Sequence, residues 1–536
     1  MSRSKSRMST TKNATCNIQS CNNQTEKNNE FCILHCKKSE YSSDFKDGTL
    51  AKFGKKLAEH IINIVNDHIN DRSQFSDKPK IIMGSNAFLK YLDEEELKKN
   101  NLDSKLVKST SIVLNAVKFP ARKDQDKFDY LKLLNKVKSI HFLRCEFNTS
   151  DLDIEEVKCF FDQCDFNSNW YIYDTQLLAN SPNSLYSKCN FHGEVTTNIE
   201  NIENFSISNN LFSNCQFNEP LHFENTDFQS VVFIDLISPV NVGNLTIENC
   251  RFDEKFQIAD VESDASLVIN NVLFNSEFEV SNSRFNDVKI TNCNFKTVSD
   301  FSKLICPNLE ISNSRFDDVA NFDYLKLVKE HDDINKFVEA RFEYVTFMST
   351  ASFKNSTFNH GLDLATSIFK ENPNFLNSEI SLTGSNRETF RLIKNSFDKI
   401  GNHIEANQYF ASEMKLYRME LLNTDKTKEK FIHNLNYYIS EYGQNYWRPI
   451  WITLLVLFVF YLITIGFEKN YLYKIYPDVN NTISSISSTL NNFAKGFIPF
   501  KKVLKEGMEL LSLFFGIILS GLTWQIIVAV KRQTRR

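Results

Sequence analysis

Between residues 140 and 369 the chain repeats one short figure about a dozen times: an aromatic or aliphatic residue, two polar residues, a small residue, one polar residue, then Phe. FLRCEF (142–147), FDQCDF (161–166), YSKCNF (186–191), FSNCQF (212–217), IENCRF (247–252) and ITNCNF (290–295) place Cys in the small slot. FENTDF (223–228), INNVLF (269–274), VSNSRF (280–285), ISNSRF (311–316), FEYVTF (342–347) and FKNSTF (353–358) place Thr, Val or Ser there. The small residue and the Phe are two apart, so both fall on one face of an extended strand. Phe274, Phe285 and Phe295 are 11 and 10 residues apart, Phe252 and Phe274 are 22 apart, and Phe295 and Phe316 are 21 apart. Steps of ten or so and their doubles mean a coil of fixed length. A short strand cannot bury its Phe alone, and stacked coils make one continuous core, which predicts a β-solenoid. The longer excursions between Phe166 and Phe191 and between Phe316 and Phe347 are expected to be loops.

Helical periodicity flanks this region. Over residues 50–70, Phe53, Leu57, Ile61 and Val65 recur at steps of four, with Leu50 one turn earlier, predicting a helix that caps the first coil. His60 and His68 on that helix are expected to be solvated or satisfied rather than ligands. Residues 93–107 read as a surface helix. Residues 388–422 carry Phe390, Ile393, Phe397, Tyr409, Phe410, Met414 and Tyr417 at helical steps, interrupted near Gly401 and Asn402.

Two uncharged apolar runs close the chain, residues 450–467 (IWITLLVLFVFYLITIGF) and 510–530 (LLSLFFGIILSGLTWQIIVAV). Each reaches the roughly 18–20 residues that cross a hydrocarbon core with every backbone group paired internally. Lys531, Arg532, Arg535 and Arg536 follow the second run and are expected to stay on the inner side, while the intervening segment, outside, also carries lysines such as Lys469 and Lys505. Within that segment, residues 479–500 read as a weak amphipathic helix lying at or dipping into the interface. Gly516, Ser520 and Gly521 form a small-residue patch that lets helices approach and self-associate. Gln525 is expected to meet another helix, line water, or sit at headgroup depth; with the patch it marks a candidate oligomer interface or pore.

Composition sharpens this outline. The formal net charge is −4, and no basic stripe crosses the repeats, which argues against a nucleic-acid partner. Phe numbers 47 while Gly numbers 14, so aromatic rings rather than glycine turns build the body. Of the 12 cysteines, the six in the repeat are expected to pack as small hydrophobes. Cys16, Cys21, Cys32 and Cys36, with His35 between the last two, sit within some twenty polar residues at a metal-site spacing. A structural zinc ion is the expected cofactor, held by Cys16, Cys21, Cys32 and either His35 or Cys36, and a segment with so little apolar core would depend on it to fold. No phosphate loop, nucleophile elbow or paired helical histidines are present, so no enzyme is expected. No apolar run follows the basic N-terminus, so the soluble body is expected in the cytosol.

The Cys/Ser-x-Phe pattern resembles that of pentapeptide-repeat proteins, in which the small residue and the central Phe or Leu point into the coil. The family's Ala-Asp/Asn-Leu consensus is replaced here by Cys/Ser-x-Phe. The run TFRLIKNSFDKIGNHIEANQYFASEMKLYR (389–418), the Tyr442-Gly443 to Trp447-Arg448-Pro449 approach to the first span, FPARKDQDKFDY (119–130) and FCILHC (31–36) resemble a membrane-bound bacterial group of that family. The resemblance implies a right-handed quadrilateral β-helix with helical flanks and two C-terminal transmembrane helices. The expected organisation is a Cys-rich segment (1–48), an α-rich cap (49–139), the solenoid (140–380), a helical neck (381–447) and a membrane domain (448–536). The expected function is non-enzymatic: a multi-pass inner-membrane protein with both termini cytoplasmic, its solenoid binding or sensing an unknown cytosolic protein partner. Its spans are expected to homo-oligomerise into a pore, and the resemblance adds a bacterial antiphage role. The alternative is a membrane-tethered scaffold without transport activity.

Overall fold

The structure, a computed structural model of the chain, describes residues 15–18, 21–26, 29–37, 49–72, 110–121, 134–135, 137–150, 152, 157–172, 184–197, 205–235, 242–262, 264–327, 340–422, 424–468 and 508–534. The expected helices at 93–107 and 479–500 lie outside these residues, as do the middles of both long excursions. Two compact units are present: Met1–Asn359 with Thr366–Glu379, and His360–Ala365 with Ile380–Arg536.

The first unit is a parallel β-solenoid of about nine turns. In one coil, Asp287–Thr291, Asn294–Phe295, Ser299–Asp300 and Ile305–Cys306 follow one another around four faces. Each pairs in parallel with its counterpart 21 residues on, Asp287 with Asn308, Asn294 with Arg315, Ser299 with Ala320 and Ile305 with Lys326. The step from Leu245 to Leu267 is 22.

In-register coils bring identical rings to the strand spacing of about 4.8 Å. Phe228, Phe252, Phe274, Phe295, Phe316, Phe347 and Phe369 form one stack with centroids 4.6–5.1 Å apart and planes within 11°. Phe119, Phe147, Phe166, Phe191 and Phe217 form a second on another face. Rings of adjacent faces meet edge-on, as Phe142 meets Phe147 at 76°. Full burial of each ring is worth roughly 1.5–3 kcal/mol, so the stacked rings are the main source of cohesion.

The residue before the small slot turns the corner with a left-handed backbone. Asn214, Asn225, Asn249, Asn271, Asn282, Asn292, Asn313 and Asn355 all have φ near +50°, as do Arg144, Gln163 and Lys188 in the same slot. Asn tolerates this region better than other side-chain-bearing residues, which lets the corners repeat with so little glycine. The side chains also ladder between coils, Asn271 Nδ2 donating to Asn249 Oδ1 at 2.8 Å.

The small slot has its own chemistry. Cys145 Sγ donates to the Leu114 carbonyl (3.2 Å), and Cys164 Sγ donates to that of Phe142 (3.4 Å), both one coil back. Ser356 donates likewise to Phe322 at 2.7 Å. A short side chain with one donor closes a corner carbonyl, so Cys, Ser and Thr interchange. All six repeat cysteines are buried, and so are Cys159 and Cys306, which lie outside the repeated hexad. Burial pushes the thiols of Cys159, Cys250 and Cys293 up from the ordinary 9.0 to about 12.

Parallel pairing starts ahead of residue 140. Ser111–Asn115 pairs with Ser139–Leu143, and Lys118–Phe119 with Glu146–Phe147. The sequence LNAVKF (114–119) is the same hexad with Val117 in the small slot and Ala116 at the left-handed corner. Helix α1 (Thr49–Arg72) buries Phe53, Leu57 and Ile61, and Phe53 meets Phe119 edge-on with centroids 6.1 Å apart.

The second unit is helical: α2 (Arg387–Lys399), α3 (His403–Leu422), α4 (Thr427–Ser440), α5 (Trp447–Glu468) and α6 (Glu509–Thr534). Asn386 caps α2 by accepting the Thr389 N–H at 2.8 Å. Gly401, with φ +79°, breaks α2 from α3. Phe390, Ile393 and Phe397 are buried, and Phe397 stacks on Tyr409 at 5.6 Å. Helices α5 and α6 are long and apolar enough to cross a membrane and pack together through Phe460 and Phe515, 4.8 Å apart.

Candidate functional site

Backbone hydrogen bonds shape the N-terminal segment, with Ile33 and Leu34 buried beside them. Thr15 bridges Gln24 antiparallel, the Cys16 N–H reaches the Asn23 carbonyl at 3.0 Å, and the Cys21 N–H reaches that of Ile18 at 3.0 Å. A turn at Cys32 brings the His35 N–H onto the Cys32 carbonyl at 3.0 Å. These turns gather Cys16, Cys21, Cys32 and His35, whose ligand atoms all lie within 4.8 Å of one another.

The spacings can be tested against a tetrahedral ion. Metal–sulfur bonds of about 2.3 Å and metal–nitrogen bonds of about 2.0–2.1 Å give edges of roughly 3.8 Å between sulfurs and 3.5 Å between sulfur and nitrogen. Cys21 Sγ and Cys32 Sγ are 3.8 Å apart, and His35 Nδ1 is 3.3 Å from both Cys16 Sγ and Cys32 Sγ. The set fits a closed, four-coordinate ion without an open position for water. Cys36 stands outside it; its thiol lies 3.8 Å from the Ile33 carbonyl. Of the two fourth-ligand alternatives the sequence leaves open, the geometry therefore favours His35.

Burial, reinforced by neighbouring Cys21 and Cys16, pushes the Cys32 thiol up to about 12. The Cys16 thiol is held below its ordinary value: burial opposes this, but hydrogen bonds from the backbone of Ile18 and Cys32 prevail. Three thiols this close cannot all ionise without a compensating cation, and a divalent ion held there would supply that charge.

Two contacts around the cluster have no signature in the sequence. Asn23 Nδ2 approaches Cys32 Sγ at 3.9 Å. The carbonyl of Leu34, inside the loop that Cys32 and His35 close, accepts the Lys118 N–H at 2.9 Å. One coil further on, the Val117 carbonyl accepts the Glu146 N–H in the same manner. The loop that carries these candidate ligands thus covers part of the exposed edge of the first coil.

At the membrane end, Ser520 Oγ donates to the Gly516 carbonyl of its own helix at 2.8 Å, and a Cβ added at Gly521 would meet nothing within 4 Å. Gln525 Oε1 accepts from Ser440 Oγ at 3.1 Å. Below it, the end of α6 is gripped. Asn407 Nδ2 donates to the Arg532 carbonyl (3.0 Å), Arg532 donates to the Tyr442 carbonyl and lies 4.6 Å over the Phe410 ring, and Gln533 donates to the Gln444 carbonyl.

Comparison with protein-family models, with curated proteins and with solved structures finds no match to this chain. The resemblance to pentapeptide-repeat proteins therefore rests on the residues quoted above.

Proposed function

We propose that this is a non-enzymatic, membrane-anchored repeat protein whose solenoid docks a protein partner on the cytoplasmic side and whose Cys16, Cys21, Cys32 and His35 cluster holds a structural zinc ion. One observation supports this above the rest: a single chain joins a long stack of coils to two helices of membrane-crossing length and composition. The coils turn their rings inward and present repeating polar rows outward, a surface suited to an extended partner. Zinc suits three thiolates and an imidazole, and its role here is to fix the loop that covers the first coil.

The docking reading is tested by photocrosslinking from the exposed positions Val113 and Tyr344 in cells, followed by isolation of membranes. A discrete heavier adduct at either position is expected. Its absence from both would contradict docking at the faces they occupy.

A second reading, in which the spans associate into a pore, is favoured by the exposed small-residue face of α6 at Ser520 and Gly521. Membrane potential separates the two, followed with the full chain and with a chain lacking residues 450–536. A scaffold leaves it unchanged in both; a pore collapses it only with the full chain.

A further inference from the structure

Helix α4 is built inside out. A surface helix of a globular body turns its apolar stripe inward and its polar stripe to water. Here Phe431, Leu435 and Tyr438, spaced four and three apart, lie on one face with Ile432 beside them. They are 67%, 49%, 63% and 61% exposed.

The polar residues point the other way, into the helices around them. Tyr417 Oη donates to Glu429 at 2.9 Å, Arg418 Nε donates to Asn434 at 2.6 Å, and the Arg418 guanidinium lies 4.1 Å over the Tyr437 ring. His433 meets Tyr417 edge-on at 4.9 Å, and Ser440 is fully buried on Gln525. The polar face is thus consumed by specific partners, which fixes the outward direction of the apolar one.

We propose that α4 is an in-plane membrane helix whose Phe431, Ile432 and Leu435 insert into the boundary between lipid headgroups and acyl chains, with Tyr438, whose hydroxyl accepts from Arg418 at 3.5 Å, at headgroup level. The reading rests on α5 and α6 crossing the bilayer. Continuity along the chain selects lipid as the occupant. Six residues separate Ser440 from Trp447, where α5 starts, and Trp447 and Trp451 are also largely exposed. Trp and Tyr concentrate where a span leaves the hydrocarbon. Lys428, exposed in the first turn of α4, can meet anionic headgroups. An amphipathic helix lying in the interface sinks its apolar side by roughly 5–10 Å, enough to take these side chains out of water. Mechanically, the membrane then holds the second unit at three places rather than two, and α4 ties α3 and the end of α6 to the bilayer surface.

The test reconstitutes the full chain into vesicles of phosphatidylcholine and phosphatidylglycerol doped with a phospholipid carrying a diazirine on one acyl chain. After irradiation, lipid adducts are mapped by mass spectrometry. Adducts are expected on the peptide containing residues 431–438 as well as on both spans. In the Phe431→Asp, Leu435→Asp variant, whose changes face outward, the α4 adducts are lost while the span adducts remain. Labelled spans beside an unlabelled α4 in the parent protein overturn the proposal and leave the membrane anchor standing. A protein without any lipid adducts overturns both. In a second arm, benzoylphenylalanine replaces Phe431: a lipid adduct supports the proposal, and a covalent dimer overturns it by identifying a second copy as the occupant.

Discussion

At the scale of single residues, the hexad divides its labour among three positions. The corner Asn carries the left-handed backbone, the small residue closes a carbonyl, and the Phe fills the stack. Asn292 has φ +55°, so Asn292→Val should destabilise the solenoid by about 1–2 kcal/mol or more, since a β-branched residue has no comfortable left-handed conformation. Asn292→Gly should be nearly silent. Thermal unfolding of the two variants reads the difference, and equal effects would contradict the assignment. The buried thiols give a dependence on pH. Cys159, Cys250 and Cys293 favour the neutral thiol in the folded state, with the pKa raised from 9.0 to about 12. Their contribution is fully present below pH 9 and declines as pH rises through the window up to about 12, at roughly 1.4 kcal/mol per unit for each thiol. Urea titrations at pH 8 and pH 10.5 should show a lower midpoint at the higher pH. Substituting the three by Ser should make that drop smaller.

At the scale of elements, the structure joins features that are separate in the sequence. The loop between Cys32 and His35 covers an edge that begins more than eighty residues later, at Lys118. Removing the metal with a chelator, or by Cys32→Ser, should therefore raise hydrogen exchange at Lys118 as well as in the N-terminal segment. Protection at Lys118 that survives complete metal loss would separate the loop from the coil. In the second unit, Gly443 has φ +83°, and an added Cβ would lie 2.8 Å from Arg532 Cδ. Gly443→Val should loosen the end of α6 and open residues 525–534 to protease, at a cost of about 1–2 kcal/mol or more. The helices α1, α2 and α3 and the interruption at Gly401 were legible because apolar residues recur at steps of three and four. The first coil was readable in principle, since LNAVKF nearly fits the hexad, but Ala116 in place of the second polar residue and the 28-residue step from Phe119 to Phe147 hid the match. The inverted face of α4 was not readable, because which face turns outward depends on partners such as Arg418 and Tyr417 in the neighbouring helix.

At the scale of the whole molecule, the stacked coils and the two lipid-length helices were the most legible parts, because each depends on one repeated physical constraint. Phe at a fixed step permits little besides a stack in register, and long uncharged runs have few homes outside a bilayer. The candidate metal ligands were legible as a set of five residues, but the choice between His35 and Cys36 depends on turns that spacing does not encode. Partner, trigger and conduction depend on molecules outside the chain and leave no comparable repeat. The central claim, a stack of coils fastened to a membrane by its own C-terminal helices, is tested most directly by flotation. Membranes from cells expressing the full chain, washed in high salt and urea, are layered beneath a density gradient beside those expressing the chain ended at residue 446. The account predicts that the full-length protein floats with the lipid and the shortened one stays at the bottom. Full-length protein left at the bottom would contradict it.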